Sequence, residues 1–276
     1  DYDIVISSSH CVAKGIITKP ETLHICYCHT PMRYAWEPWE LQYRLKGFPK
    51  FLHHRIYKKI HELRIWDRLS ADRVDHFIAN SSFVRDRIRK YYRKDSKVIY
   101  PPVNTDDFQI SKPKDYYLMV GRLIPYKRFD LVIEVFNALG KPLKIVGVGP
   151  EESHLKKMSG PTIEFLGQLP FMDLRMLFSE CKALIFPQLE DFGLTTVECM
   201  ASGRPVIAYR GGGALESVEE GKTGVFFDEQ SERSLRNAIH RFETLSFDPA
   251  LIKDHAEKFS EKRFHEAIMA FIEEKL

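Results

Sequence analysis

From residue 116 onward, short β-branched runs alternate with amphipathic helical stretches, and few folds accommodate that pattern. The runs are YYLMVG (116–121), LKIVG (143–147), IEFLG (163–167), ALIFP (183–187), PVIAY (205–209) and GVFF (224–227). Near-continuous apolar strands are covered on both faces, and strands separated by helices return in the same direction, so the pattern predicts βαβ units around a parallel sheet. A shorter version precedes it in DIVIS (3–7), LHICYC (23–28), HFIAN (76–80) and KVIY (97–100), with helices expected near 50–70 and over 82–92. The expected fold class is α/β, two Rossmann-like units with parallel sheets, the first of them partial. PPVNTDDFQISKPK (101–114) reads as a linker from its prolines and polar residues, which gives expected domains of 1–109 and 110–276. The last stretch, 250–274, returns to helix with Phe264, Ile268, Phe271 and Ile272 along one face.

Composition narrows the class of function. No stretch approaches the ~20 consecutive apolar residues that span a bilayer, and the first residues lack the charged and apolar regions of a signal peptide. The expectation is a cytoplasmic chain. It opens on DYDIVISSSH, without an initiator methionine and almost at once in a strand, as a chain cut inside a domain would. Cys11, Cys26, Cys28, Cys181 and Cys199 are odd in number and form no C-x-x-C pair, so they read as reduced core residues rather than disulfides or zinc ligands.

Charge is unevenly spread. Residues 1–100 carry 19 Lys and Arg against 11 Asp and Glu, and residues 44–97 carry 16 against 6. Within that basic region FLHHRIYKKIHELRIWDRL (51–69) spaces Ile56, Ile60, Leu63 and Trp66 on one helical face. Such a helix either packs its stripe on a core or docks on an anionic membrane surface. Nucleic acid is not an expected partner, because no aromatic stacking surface or recognisable binding motif accompanies the basic residues.

The chemistry concentrates at EDFGLTTVE (190–198), a corner between an apolar strand and a helix. In open α/β sheets ligands bind at such carboxyl edges. Glu190 also reads as a solvated loop residue, and Thr195 with Glu198 fits the T-x-x-E capping box, in which the glutamate satisfies a backbone N–H of its own helix. Arg122 and Lys127 follow YYLMVG at the same kind of edge. Lys14 and Gly15 read either as facing a cleft or as a solvated loop, the first ranking no higher than the second.

Several stretches occur together and in order: YCHTPMRYAWE (27–37), ANSSFVRDRI (79–88), YPPVNTDDF (100–108), GRLIPYKRFDL (121–131), VGVGPE (146–151), FLGQL (165–169), EDFGLTTVE, ASGRPVIAY (201–209) and GGALESVEEGKTG (from 212). The set resembles glycosyltransferase family 4, retaining enzymes of the GT-B fold, with two Rossmann-like domains around a cleft. It is most similar to mannosyltransferases of lipopolysaccharide or exopolysaccharide synthesis. The resemblance implies transfer of a hexose, mannose from GDP-mannose, to a lipid-linked or polysaccharide acceptor, with no cofactor and no metal. It assigns Arg122 and Lys127 to the diphosphate, Glu190 to the donor-sugar hydroxyls, Glu198 to the ribose and His29 to the reaction centre. Gly121, Phe192, Gly193, Leu194 and Thr195 join the donor site, and Arg33, Tyr34 and Trp36 the acceptor side. Carboxylates suit hydroxyl recognition because they only accept hydrogen bonds. Val148 stands where many relatives have a polar residue, which removes a polar contact there. The resemblance places the first strands of the N-domain and its glycine-rich acceptor loop upstream of Asp1, so the N-domain is expected to be partial in this sequence. Two rival readings stay open on the residues: a non-catalytic nucleotide-sugar-binding module, and a glycoside hydrolase using Glu190 and Glu198. A lipid-linked acceptor would place the chain peripherally at the inner face of the membrane.

Overall fold

A computed structural model describes residues 2–276, and they divide into two compact units, the first running to Tyr100 and the second from Pro101 to Leu276. In the first, strands β1 (Ile4–Ser9), β2 (Leu23–Cys28), β3 (His76–Ala79) and β4 (Ser96–Val98) form a parallel sheet in the order 1-2-3-4. Helices α1 (Arg33–Trp36), α2 (Pro38–Leu45) and α3 (Lys50–Ser70) lie between β2 and β3, and α4 (Ser82–Tyr92) between β3 and β4. Ser81 caps α4 by accepting from the Val84 N–H at 3.0 Å. From there Val84, Ile88 and Tyr92, at helical spacing, pack on Cys26, Cys28, Phe77 and Ala79 of the sheet.

Lys14 and Gly15 are not solvated. Lys14 is 1% exposed and ion-paired with the fully buried Asp67. The second Asp67 oxygen accepts from Trp36 Nε1 at 2.7 Å and the Tyr92 hydroxyl at 2.9 Å. A buried pair survives when its remaining lone pairs are satisfied, and here they are. A Cβ on Gly15 would stand 2.6 Å from the Trp66 ring, so the chain passes there only as glycine.

The second unit holds β5 (Tyr117–Val120), β6 (Leu143–Val146), β7 (Ile163–Gly167), β8 (Leu184–Phe186), β9 (Val206–Tyr209) and β10 (Gly224–Phe227), all parallel, in the order 10-9-8-5-6-7. Helices α5 (Phe129–Leu139), α6 (Glu152–Met158), α7 (Phe171–Glu180), α8 (Leu194–Ala201), α9 (Ala214–Ser217) and α10 (Glu232–Glu243) connect and follow these strands. All six strands fall where the apolar runs predict. The core sits between α5, whose Phe129, Leu131, Val132, Ile133, Val135 and Phe136 are all buried, the sheet, and the Leu235, Ala238, Ile239 and Phe242 face of α10.

The expected linker, 101–114, lies within the second unit. Val103 bridges to Ser260, Phe108 is buried with its ring edge-on to Phe171 and Phe178, and Thr105 donates to Glu257. Residues 101–109 therefore belong to the second unit, because two apolar side chains among the prolines anchor them. The C-terminal stretch is two helices, α11 (Pro249–Ala256) and α12 (Glu261–Lys275), with Phe264, Ile268, Phe271 and Ile272 on the less exposed face of α12. No helix among the described residues is long and apolar enough to cross a membrane.

Candidate functional site

The strand order places a topological switch between β5 and β8. From β5 the chain winds through β6 to β7, then crosses back to β8 and winds the other way to β10. Loops leaving adjacent strands at such a point diverge and open a crevice at their carboxyl ends. The β5 loop carries Gly121, Arg122, Tyr126 and Lys127; the β8 loop carries Glu190. The fold brings them together: Lys127 Nζ is ion-paired with Glu190 Oε1, and the Tyr126 hydroxyl donates to the same oxygen at 3.2 Å. Both charged side chains are largely shielded, at 16% and 14% exposure, so the pair is screened less than a surface one. The Arg122 side chain is exposed and makes no hydrogen bond or ion pair among the described residues.

Backbone contact holds the β5 loop. Gly121 N–H donates to Val146 O at 3.0 Å and Leu123 N–H to Val148 O at 3.1 Å. A Cβ on Gly147, at φ +134°, would lie 1.9 Å from Gly121 O, and one on Gly149 2.4 Å from Leu123 O. Val148 is 45% exposed between them. Pro125–Lys127 then form a 3-10 turn, and Arg128, at φ 55°, turns the chain into α5. A non-glycine residue held left-handed marks a place where the surroundings dictate the backbone.

The β8 loop is held by glycines at 211–213. Gly213 N–H donates to Glu190 O at 3.0 Å. A Cβ on Gly212 would stand 2.3 Å from Glu190 O, and one on Gly213 2.2 Å from Phe192 Cα. Phe192 does not line the site with its ring, which is buried edge-on to Phe259; it anchors the loop. Gly193, at φ 91° and with the Phe186 ring 2.7 Å from where a Cβ would be, starts α8 with no side-chain cap. Leu194 is exposed and Thr195 half-buried at that uncapped end.

The capping box does not form. The left-handed glycine admits the chain to the helix at Leu194, so Thr195 is already inside it and Glu198 lies too far along to reach back. Glu198 is instead half-buried, with no hydrogen bond or ion pair to its carboxylate among the described residues. Burial pushes its carboxyl up from 4.5 to about 7. Once ionised, such a carboxylate only accepts hydrogen bonds, and with no protein donor to it the group has acceptor capacity to spare.

In the first unit His29 directly follows β2, half-buried, with Ser8 Oγ 2.8 Å from its Nε2 and its ring edge-on to Tyr27. Arg33 is half-buried on α1, and the Tyr34 hydroxyl meets Cys11 Sγ at 2.7 Å. Trp36 has a packing role: its N–H goes to Asp67 and its ring stacks on Tyr91 at 4.7 Å. Sequence reasoning passed over Tyr126, Gly212 and Gly213. Three successive glycines after an apolar strand, and a tyrosine beside the chosen lysine, were the available signals.

Residues 103–265 match the family model of glycosyl transferases group 1, and residues 1–107 that of glycosyltransferase family 4. The chain belongs to the group 1 glycosyl transferases. Among curated relatives of this glycosyl transferase, the O-antigen chain mannosyltransferase RfbU of Salmonella typhimurium is 28% identical over 191 residues, covering 64% of this chain and 54% of the relative. Alpha-1,3/1,6-mannosyltransferase ALG2 of Dictyostelium discoideum is 24% identical over 250 residues, covering 72% and 56%. The transferase chain thus spans about half the length of the curated relatives it matches. Sucrose-phosphate synthase from Thermosynechococcus elongatus superposes with a TM-score of 0.78 over 99% of this chain and 73% of its own, at 18% identity. The fold is of the GT-B class.

Proposed function

We propose that the chain works as a retaining, metal-independent hexosyltransferase that moves mannose from GDP-mannose to a lipid-linked or polysaccharide acceptor. The observation that carries the reading is the switch-point cluster: Lys127 paired with Glu190, Arg122 exposed on the same loop as Lys127, and a half-buried second carboxylate, Glu198, on the uncapped helix that follows Glu190. In this reading Arg122, Lys127 and the Gly193–Leu194 amides hold the diphosphate. They counter the charge that grows on the leaving oxygen as the glycosidic bond breaks. Glu190 takes donor-sugar hydroxyls and Glu198 the ribose. The leaving diphosphate accepts the acceptor's proton on the face it vacates. Mannose is favoured by the names of two relatives, both mannosyltransferases. No cofactor enters the scheme.

Calorimetry with GDP, UDP, GDP-mannose and UDP-glucose tests it. Binding is expected for a guanine pair, unchanged by EDTA, and weakened at least tenfold in Arg122→Ala and Lys127→Ala, as loss of a charge-assisted contact requires. Absence of nucleotide binding, or manganese-dependent transfer, would reject it. Cleavage of a simple glycoside without nucleotide would instead favour the hydrolase, for which a carboxyl raised to about 7 is the expected acid.

The basic region supports a membrane-surface partner. On α3 the stripe of Ile56, Ile60 and Leu63 is only half-buried, while Phe51, Tyr57, Ile65 and Leu69 are exposed. Lys58 and Lys59 are exposed beside them, whereas Arg64 donates to Ala35 O and belongs to the packing. Cosedimentation with anionic vesicles is expected, falling with salt and lost when Arg55, Lys58 and Lys59 are changed to glutamate, since each basic residue contributes about 1 kcal/mol at such a surface. Equal partition to neutral vesicles would refute it.

A further inference from the structure

One oxygen of Glu190 carries two donors from a single turn. Lys127 is ion-paired with Oε1, the Tyr126 hydroxyl donates to it at 3.2 Å, and the Lys127 ammonium lies 5.5 Å from the Tyr126 ring centroid. Pro125 pre-sets that turn and the left-handed Arg128 closes it, so the two side chains leave a backbone with little freedom. The Glu190 main chain is pinned separately by Gly213. The carboxylate is therefore fixed at its backbone and at one oxygen.

These two donors have different fates in the reading proposed above, on which this inference rests. A diphosphate presents more negative charge than one carboxylate, and an ammonium drawn to it gives up part of its hold on Glu190. A phenol does not follow, because it is neutral and its reach is set by a rigid ring. We propose that Tyr126 is a positioning residue: when Lys127 turns to the donor diphosphate, the Tyr126 hydroxyl keeps Glu190 aimed at the donor sugar. The Lys127–Glu190 pair of this structure is then the state before hand-over, in which each ion balances the other. Tyr126 discriminates between ligands with and without a sugar, and does nothing for the nucleotide alone.

The test compares affinities of the intact chain for GDP with GDP-mannose, and for UDP with UDP-glucose. In Tyr126→Phe, which keeps the ring and the packing, the nucleoside diphosphate is expected to bind within about twofold of the unmodified chain. The ratio of sugar-nucleotide to nucleotide affinity should shift about tenfold against the sugar, the scale of a lost hydrogen bond to a charged group. Glu190→Gln should bind the free diphosphate at least as tightly as before, because Lys127 is released to it. An unchanged ratio in Tyr126→Phe, or equal loss for both ligands, overturns the proposal while leaving the nucleotide-binding reading intact. An unmodified chain that binds neither diphosphate overturns both.

Discussion

Replacing Glu190 with alanine is expected, on the function proposed above, to lower sugar transfer by roughly 100-fold or more, the cost of removing one pre-set polar group from a reacting centre. Affinity for the free nucleoside diphosphate should stay within a few-fold. The split follows from what Glu190 touches: its side chain meets Lys127 and Tyr126 and its carbonyl meets Gly213, so truncation frees the ammonium without disturbing the loop. Glu198→Ala should do the reverse and weaken the nucleotide. Single-turnover rates combined with calorimetry read both quantities. Equal loss of nucleotide affinity in the two variants would remove the division of labour between the carboxylates.

Glu198→Gln should change how stability depends on pH. With its carboxyl raised from 4.5 to about 7 by burial alone, the folded chain holds a proton there that the unfolded chain has already lost. Stability therefore falls as pH rises from 4.5 through 7, by up to about 3 kcal/mol once both states are ionised. Glutamine, neutral throughout, removes that decline, so urea midpoints at pH 5 and pH 9 should converge in the variant. The same substitution should cost nucleotide affinity, because the amide offers one acceptor oxygen in place of two. Ribose hydroxyls favour the ionised carboxylate, so nucleotide binding near pH 6.5 should release a proton, seen as a buffer-dependent binding enthalpy. A release that persists in Glu198→Gln would place it on another group.

The strands were legible because parallel-sheet strands are apolar on both faces and leave an unmistakable run, as Leu184–Phe186 does. The placement of Arg122, Lys127 and Glu190 in loops at the carboxyl ends of β5 and β8 was legible too, since each follows an apolar run. Three features were not. Val103 and Phe108 look like isolated apolar residues in a proline-rich stretch until the Ser260 main chain bridges to the first and Phe171 and Phe178 meet the second. Lys14 looks like a loop cation, and only the distant Asp67, Trp36 and Tyr92 make its burial tolerable. Thr195 and Glu198 match a capping box, and the match fails because Gly193 can adopt φ 91°, which shifts the helix start. Each depends on partners far away in sequence or on one backbone angle, and neither is written in local spacing.

The contact of Gly147 and Gly149 with the Gly121–Leu123 main chain has a consequence for how this family member tolerates change. The two loops are in direct main-chain contact, and any Cβ at 147 would overlap Gly121 O at 1.9 Å. A substitution there shifts Arg122 and Lys127 together, although neither residue has been altered. Alleles that abolish binding will thus include positions bearing no functional group, and an alanine scan confined to charged residues passes over the ones on which this corner most depends.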